Sequence, residues 1–357
     1  MTAIEKTPTS NWVDEDGMEF SIFDVCRSKD IKYLRQYLDE GGDPNLVLDP
    51  YRTNLLWIAC DSMDGNQAEH VKLLLERGAD PNEGNPLYIA CEWGKIEYVR
   101  HLVEHGANPD QPVVIGATAL HAACRAGNPD IVSLLLRKGA NPNIKGYPNR
   151  ETPLHVATDY LNYDYDYENE ITINLIDCVR ILMKHEKTDS NIRNRYGDTP
   201  LMCACFKNNP DCVSLLLELG ADANIVCSDG TSLLFHVAST GKFECFKLLL
   251  EYGANTNVFD NYEYRDSLLS HLCVRGMFWY AKLLLKYGAN VNIVSEAGKT
   301  PLYMCCSYGE IEGVRFLLEN NADPSISSKK GRTPLKTAKH NKNMECVNVL
   351  REFGVDN

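Results

Sequence analysis

No stretch of this 357-residue chain approaches the roughly 20 consecutive apolar residues that a bilayer-spanning helix requires. The opening run MTAIEKTPTSNWVDEDG lacks the basic-then-apolar layout of a secretory signal, and residues 1–17 read as a flexible polar tail. Positive charge is scarce. Lys and Arg number 36 against 49 Asp and Glu, for a formal net charge of −13. Most of such a surface repels a phosphate backbone, which argues against nucleic acid as a partner. The one basic stretch, Lys329, Lys330, Arg332, Lys336, Lys339 and Lys342, has no interleaved aromatics and reads as a solvated cap. Also missing are a C-x-x-C pair, zinc-finger spacing, a P-loop, an H-E-x-x-H helix and a Ser/His/Asp set. These absences leave no catalytic residue, no metal ligand, no cofactor and no membrane span to assign. They point to an intracellular chain of cytosol or nucleus.

What is present is periodic. By length alone two or three domains are expected, but one sentence recurs along the chain. It reads GATALHAACRAGNPDIVSLLLRKGANPN at 116–143, GDTPLMCACFKNNPDCVSLLLELGADAN at 197–224 and GKTPLYMCCSYGEIEGVRFLLENNADPS at 298–325. Thr152, Thr199, Thr300 and Thr333 each precede Pro and an apolar run, the pattern of an N-cap followed by proline at the first helical position. A second helix starts around an acidic column, Glu69, Glu97, Asp130, Asp177, Asp211, Glu244, Glu312 and Glu345, where a carboxylate meets the positive end of the helix dipole. It stops at Gly78, Gly106, Gly139, Gly220, Gly253 or Gly288, with Asn321 in the ninth copy. A valine column through the second helices, at Leu34, Val71, Val99, Val132, Val179, Val213, Phe246, Ala281, Val314 and Val347, counts ten copies.

The spacing of about 33 residues and the T-P-L-H-x-A pattern are those of ankyrin repeats, and the chain resembles that family over nearly everything after residue 18. The resemblance implies an all-α repeat solenoid over 18–357, built of helix-turn-helix units joined by β-hairpin-like loops. It further implies a monomeric, non-catalytic scaffold or adaptor that binds another protein, with His121 and His155 hydrogen-bonded within and between repeats. Two further roles follow from it. The short copies look like those of substrate-recognition subunits of ubiquitin ligases, although no SOCS box follows the tenth copy. Asn292 and Asn224 match the hairpin asparagine that an asparaginyl hydroxylase modifies in similar proteins.

Fourteen cysteines invite a metal or redox reading that their positions oppose. Cys26, Cys60, Cys91, Cys124, Cys205, Cys273 and Cys306 share one slot of the first helix, and Cys178, Cys212, Cys245 and Cys346 share one of the second. Repeat-locked thiols behave as small core residues.

Because the repeat accounts for most residues, function is sought where it is violated. The fifth copy carries an insertion at 159–171 with Tyr160, Tyr163, Tyr165 and Tyr167 beside Asp164, Asp166 and Glu168 and no basic residue. Insertions in solenoids map to loops that often bind, and these acids suit a partner with a basic segment. Trp279 replaces a carboxylate of the acidic column, and Trp93 ends a first helix in a slot that is polar or small elsewhere. With Phe206 and Lys207 they map to one edge, where first helices end and second helices begin. Arg195, Tyr196, Tyr262 and Arg265 mark the hairpin tips on the other side.

Overall fold

A computed structural model describes residues 12–13, 19–27, 30–47, 53–61, 67–146, 148–158, 170–261 and 265–356. It divides into two compact units, residues 1–195 and 196–357. The first unit opens on a two-residue antiparallel ladder between β1 (Trp12–Val13), inside the stretch whose sequence reads as a tail, and β2 (Glu19–Phe20), just after it. Five helix pairs follow. They are α1 Ile22–Arg27 with α2 Lys32–Asp39, α3 Leu55–Cys60 with α4 Ala68–Glu76, α5 Pro86–Glu92 with α6 Ile96–Glu104, α7 Ala119–Arg125 with α8 Pro129–Arg137, and α9 Pro153–Thr158 with α10 Glu170–Lys184. The second unit repeats the arrangement as α11 Pro200–Phe206 with α12 Pro210–Glu218, α13 Leu233–Ser239 with α14 Phe243–Glu251, α15 Leu268–Val274 with α16 Phe278–Lys286, α17 Pro301–Tyr308 with α18 Ile311–Glu319, and α19 Pro334–His340 with α20 Met344–Glu352.

Each pair is bounded by the residues that chemistry requires. Thr300 accepts from the backbone N–H of Tyr303 at 3.1 Å, and Ser232, Ser267 and Asn54 do the same for their own first helices. Second helices other than α10 end on left-handed residues. Gly220 has φ +95°, and Asn321, which stands in the same slot, has φ +65°. Within each unit first helices pack on first helices, as α5 on α7 and α15 on α17, and second on second, as α4 on α6 and α12 on α14. One pair cannot bury its own apolar face, so stacking supplies the core. Every residue of the valine column, from Leu34 to Val347, has no measurable exposure. The repeat-locked thiols lie in the same core, and burial pushes Cys26 and Cys212 up to about 12.

The hairpin side is held by a hydrogen-bond relay. In the second unit the Asn224 N–H donates to the Asp222 carboxylate at 2.8 Å, and the Asn224 carboxamide oxygen accepts from the N–H of Asn255, again at 2.8 Å. The pattern repeats through Asn257, which accepts from Asn290, and Asn292, which accepts from Asp323. In the first unit Asn45, Asn82 and Asn143 bridge to Asp80, Asn108 and Asp189. Short polar side chains that bond their own backbone two residues on are suited to this turn.

The fifth pair corrects one expectation. Asp177 does not start a helix, because α10 runs 15 residues from Glu170 and leaves Asp177 in its middle. Leu175 continues the spacing of Cys178 and Leu182 upstream and is buried, so the apolar stripe of this helix extends N-terminal to Asp177. The rest of the insertion, with Tyr160, Tyr163, Tyr165, Tyr167, Asp164, Asp166 and Glu168, lies outside the described residues.

Candidate interaction edge

In the second unit the edge is built from the C-terminal turns of α11, α13, α15 and α17 and the first turns of α12, α14, α16, α18 and α20. The first turn of α16 holds three successive aromatics, and helical geometry turns them to different sides. Phe278 packs against Phe316 of α18, with ring centroids 5.4 Å apart. Tyr280 meets Phe243 edge-on at 5.0 Å and Phe246 at 5.1 Å. Trp279 between them is 79% exposed and makes no hydrogen bond or ring contact with a described residue. Its column neighbours Asp211, Glu244, Glu312 and Glu345 are exposed as well, so the slot faces solvent in every described copy of this unit.

Phe206 and Lys207, at the end of α11, are spent differently. The Phe206 ring leans on His236 of the next first helix at 4.5 Å, and Lys242 lies 5.7 Å from its centroid while donating to the Phe206 carbonyl at 2.9 Å. Burial, chiefly, holds His236 below its ordinary value. Phe206 is therefore half-buried glue between the sixth and seventh repeats, and Lys207 beside it is partly covered. In the first unit Trp93 is 37% exposed and its indole N–H donates to Asp61 at 3.2 Å. On the hairpin side Arg195 is exposed and its backbone N–H donates to the Asn149 carbonyl, Tyr196 is 60% exposed, and Arg265 (φ +45°) pairs with Glu296 at 3.6 Å. Tyr262 lies outside the described residues. Asn224 and Asn292 are both rungs of the relay, each accepting a backbone N–H from the next repeat.

The histidines of the repeat are occupied. The His121 Nδ1 accepts from the Thr118 N–H at 3.1 Å, which leaves Nε2–H to donate to the Glu151 carbonyl of the following repeat at 3.0 Å. Burial, more than any other cause, drives the His121 pKa down to about 4, so the ring is neutral. Among the described residues no group of three or more His, Cys, Asp or Glu is placed to hold a metal ion, and no helix is long and apolar enough to cross a membrane.

Comparison with known proteins settles the architecture. The family model for ankyrin repeats in three copies matches residues 22–113, 171–227, 219–295 and 269–357, and the single ankyrin-repeat model matches 115–147. The chain belongs to the ankyrin-repeat family. It is 30% identical over 191 residues to human ankyrin repeat and MYND domain-containing protein 1, covering 47% of this chain and 19% of that one, so it spans about a fifth of this relative's length. It is 29% identical over 176 residues to putative ankyrin repeat protein FPV230 of fowlpox virus, 46% of this chain and 84% of that one. The crystal structure of the human ASB11 ankyrin repeat domain superposes with a TM-score of 0.52 at 25% identity, over 66% of this chain and 98% of that one. Ankyrin repeats are in general protein–protein interaction modules.

Within this ankyrin array, two exposed apolar side chains of the edge escape a reading from sequence. Tyr308 ends α17 in the slot that Trp93 fills in the third repeat, and is 64% exposed. Met344 opens α20 and is 53% exposed. The signal for Tyr308 was available, since Lys207, Thr240, Arg275 and Asn341 share its slot and none is aromatic.

Proposed function

We propose that this ankyrin protein is a non-catalytic docking scaffold whose second unit receives a partner protein on the edge that carries Trp279, with Tyr308 and Met344 as further apolar contacts. The observation that carries the reading is the exposure of Trp279 between two packed aromatics. A helix start favours a carboxylate by roughly 0.3–1 kcal/mol, so tryptophan there does nothing for the fold that glutamate would not do better. An aromatic side chain buries about 150–250 Å² when covered, which at roughly 25 cal/mol per Å² is on the order of 4–6 kcal/mol of gross driving force. Covering the exposed four-fifths in a desolvated contact makes a hot spot. Trp93 offers a smaller exposed face on the corresponding edge of the first unit, already oriented by Asp61. The acidic insertion at 159–171 adds carboxylates suited to a basic segment of the partner.

The test is affinity purification from cells with the intact chain and with Trp279→Glu, each accompanied by a thermal melt. The reading expects an unchanged or higher melting temperature and a loss of about tenfold or more in co-purified partner, tenfold being about 1.4 kcal/mol. Unchanged recovery rejects Trp279 as the anchor. A lower melting temperature rejects the premise that its side chain is free of the core.

A further inference from the structure

The tenth helix pair differs from the others in charge. Between Asp323 and Glu345 the chain has no carboxylate, and Lys329, Lys330, Arg332, Lys336, Lys339 and Lys342 all fall in that interval. All six are exposed, and none forms an ion pair with a described residue. Column comparison within the second unit shows where two of them stand. Lys336 occupies the slot of Met202, Phe235, Ser270 and Tyr303, each buried. Lys339 occupies the slot of Cys205, Ala238, Cys273 and Cys306, none with measurable exposure. In those copies the next first helix covers the slot, whereas α19 packs on α17 and α20. Two core columns therefore surface here as lysines, joined by the loop cations before the helix.

A solvent-facing helix surface needs polarity, which either sign of charge or a neutral amide supplies. The first helix pair shows the mixed solution, with Asp24, Arg27, Lys32, Arg35, Asp39 and Glu40. A face of one sign, in a chain whose net charge is −13, is more than solubility asks for. Five of the six are lysines, which act as hydrated point charges and do not impose the forked geometry by which arginine grips phosphate. Screening confines the field to about 8 Å at physiological ionic strength, so a short acidic strand lying along α19 and its preceding loop is governed by these local cations and not by the net charge of the chain. The interval is flanked in sequence by the exposed carboxylates Asp323 and Glu345, which oppose a longer nucleic-acid duplex. We infer that α19 and the loop preceding it form a second docking surface, one that takes a Glu- or Asp-rich peptide segment of a partner protein.

The experiment is fluorescence anisotropy of a fluorescein-labelled oligoglutamate peptide with the full chain in low-salt and high-salt buffer. The inference expects saturable binding that weakens with salt. It expects the triple variant Lys329→Glu/Lys336→Glu/Lys339→Glu to bind at least about tenfold more weakly. A control of the same charge change at exposed lysines elsewhere, Lys138→Glu/Lys184→Glu/Lys282→Glu, should stay within about twofold. Should the triple charge reversal disturb folding, Lys336→Gln/Lys339→Gln reports the same surface and still lowers affinity relative to the control. Trp279→Glu should leave the affinity for this probe untouched, which separates this surface from the aromatic edge. Equal losses in patch and control variants, no binding by the intact chain at low salt, or tighter binding of a short DNA duplex of equal charge overturns the inference.

Discussion

The valine column carries a large residue next to a small one, Phe246 in the seventh repeat and Ala281 in the eighth, both without exposure in a column otherwise filled by Val213, Val314 and Val347 in this unit. If stacking of neighbours sets the core, the two sizes compensate across the α14–α16 contact. Truncating a buried Phe to Ala costs about 3–5 kcal/mol, and the two methyls that valine keeps offset roughly 0.8 kcal/mol each, so Phe246→Val should cost about 1.5–3.5 kcal/mol. Ala281→Val pushes two extra methyls into a filled site and should cost about 1–3 kcal/mol. The pair restores the column's own residue at both positions. Its destabilisation should fall short of the sum by at least about 1 kcal/mol, a coupling expected of residues that share one packing volume. Urea unfolding of the four chains, followed by far-UV circular dichroism, measures this cycle directly. Additivity within about 0.5 kcal/mol would show that the two sites do not share space, and the argument from columns would fail.

Other outcomes follow from the same geometry. Leu216→Asp puts a carboxylate where no exposure remains in α12, and should cost several kcal/mol and broaden the melt of the second unit; an unchanged melt contradicts the register. His121 must be neutral in the fold and is held near 4 against its ordinary 6.5, so the unfolded chain takes a proton first as pH falls. Stability from this residue is therefore complete above 6.5 and declines from there to about 4, by on the order of 3 kcal/mol; urea midpoints that stay flat across this window refute the assignment. Thiol titration should find the repeat-locked cysteines unreactive in the native chain and all fourteen reactive in denaturant, with Cys203 the accessible exception; rapid native labelling of several thiols contradicts the core reading.

Much of this was legible from residues because the repeat compares the chain with itself. The valine column is buried wherever the sequence placed it, since one slot meets the same neighbours in successive copies. The acidic column likewise made Trp279 conspicuous as the odd residue of a solvent-facing slot. Phe206 was less legible. Its slot holds Arg125, Ser239 and Val274 elsewhere, and whether a ring there is free depends on His236 and Lys242 of the following copy. Asp177 shows that column position is not helix position, since the apolar stripe continues upstream through the buried Leu175 and α10 starts at Glu170. Tyr308 shares its slot with Trp93 and is aromatic where Lys207, Thr240, Arg275 and Asn341 are not, yet its hydroxyl lets it pass for one more polar residue of that slot. The hairpin asparagines suggest modification sites, while their carboxamides also tie one copy to the next, a role that needs the following backbone N–H in place and so emerges only from the fold.

The central claim, that an edge of the second unit engages a partner through Trp279, is tested most directly by site-specific photocrosslinking in cells. A photoreactive amino acid replaces Trp279 in one chain and Glu244, an exposed residue of the same column in the preceding repeat, in another, with a third chain carrying it at the exposed Lys286 at the opposite end of α16. The account predicts one protein captured strongly from position 279, more weakly from 244, not from 286, and displaced by an excess of unlabelled intact chain. Equal capture from 279 and 286, or none from 279 while a hairpin position such as Tyr196 captures a protein, would contradict it.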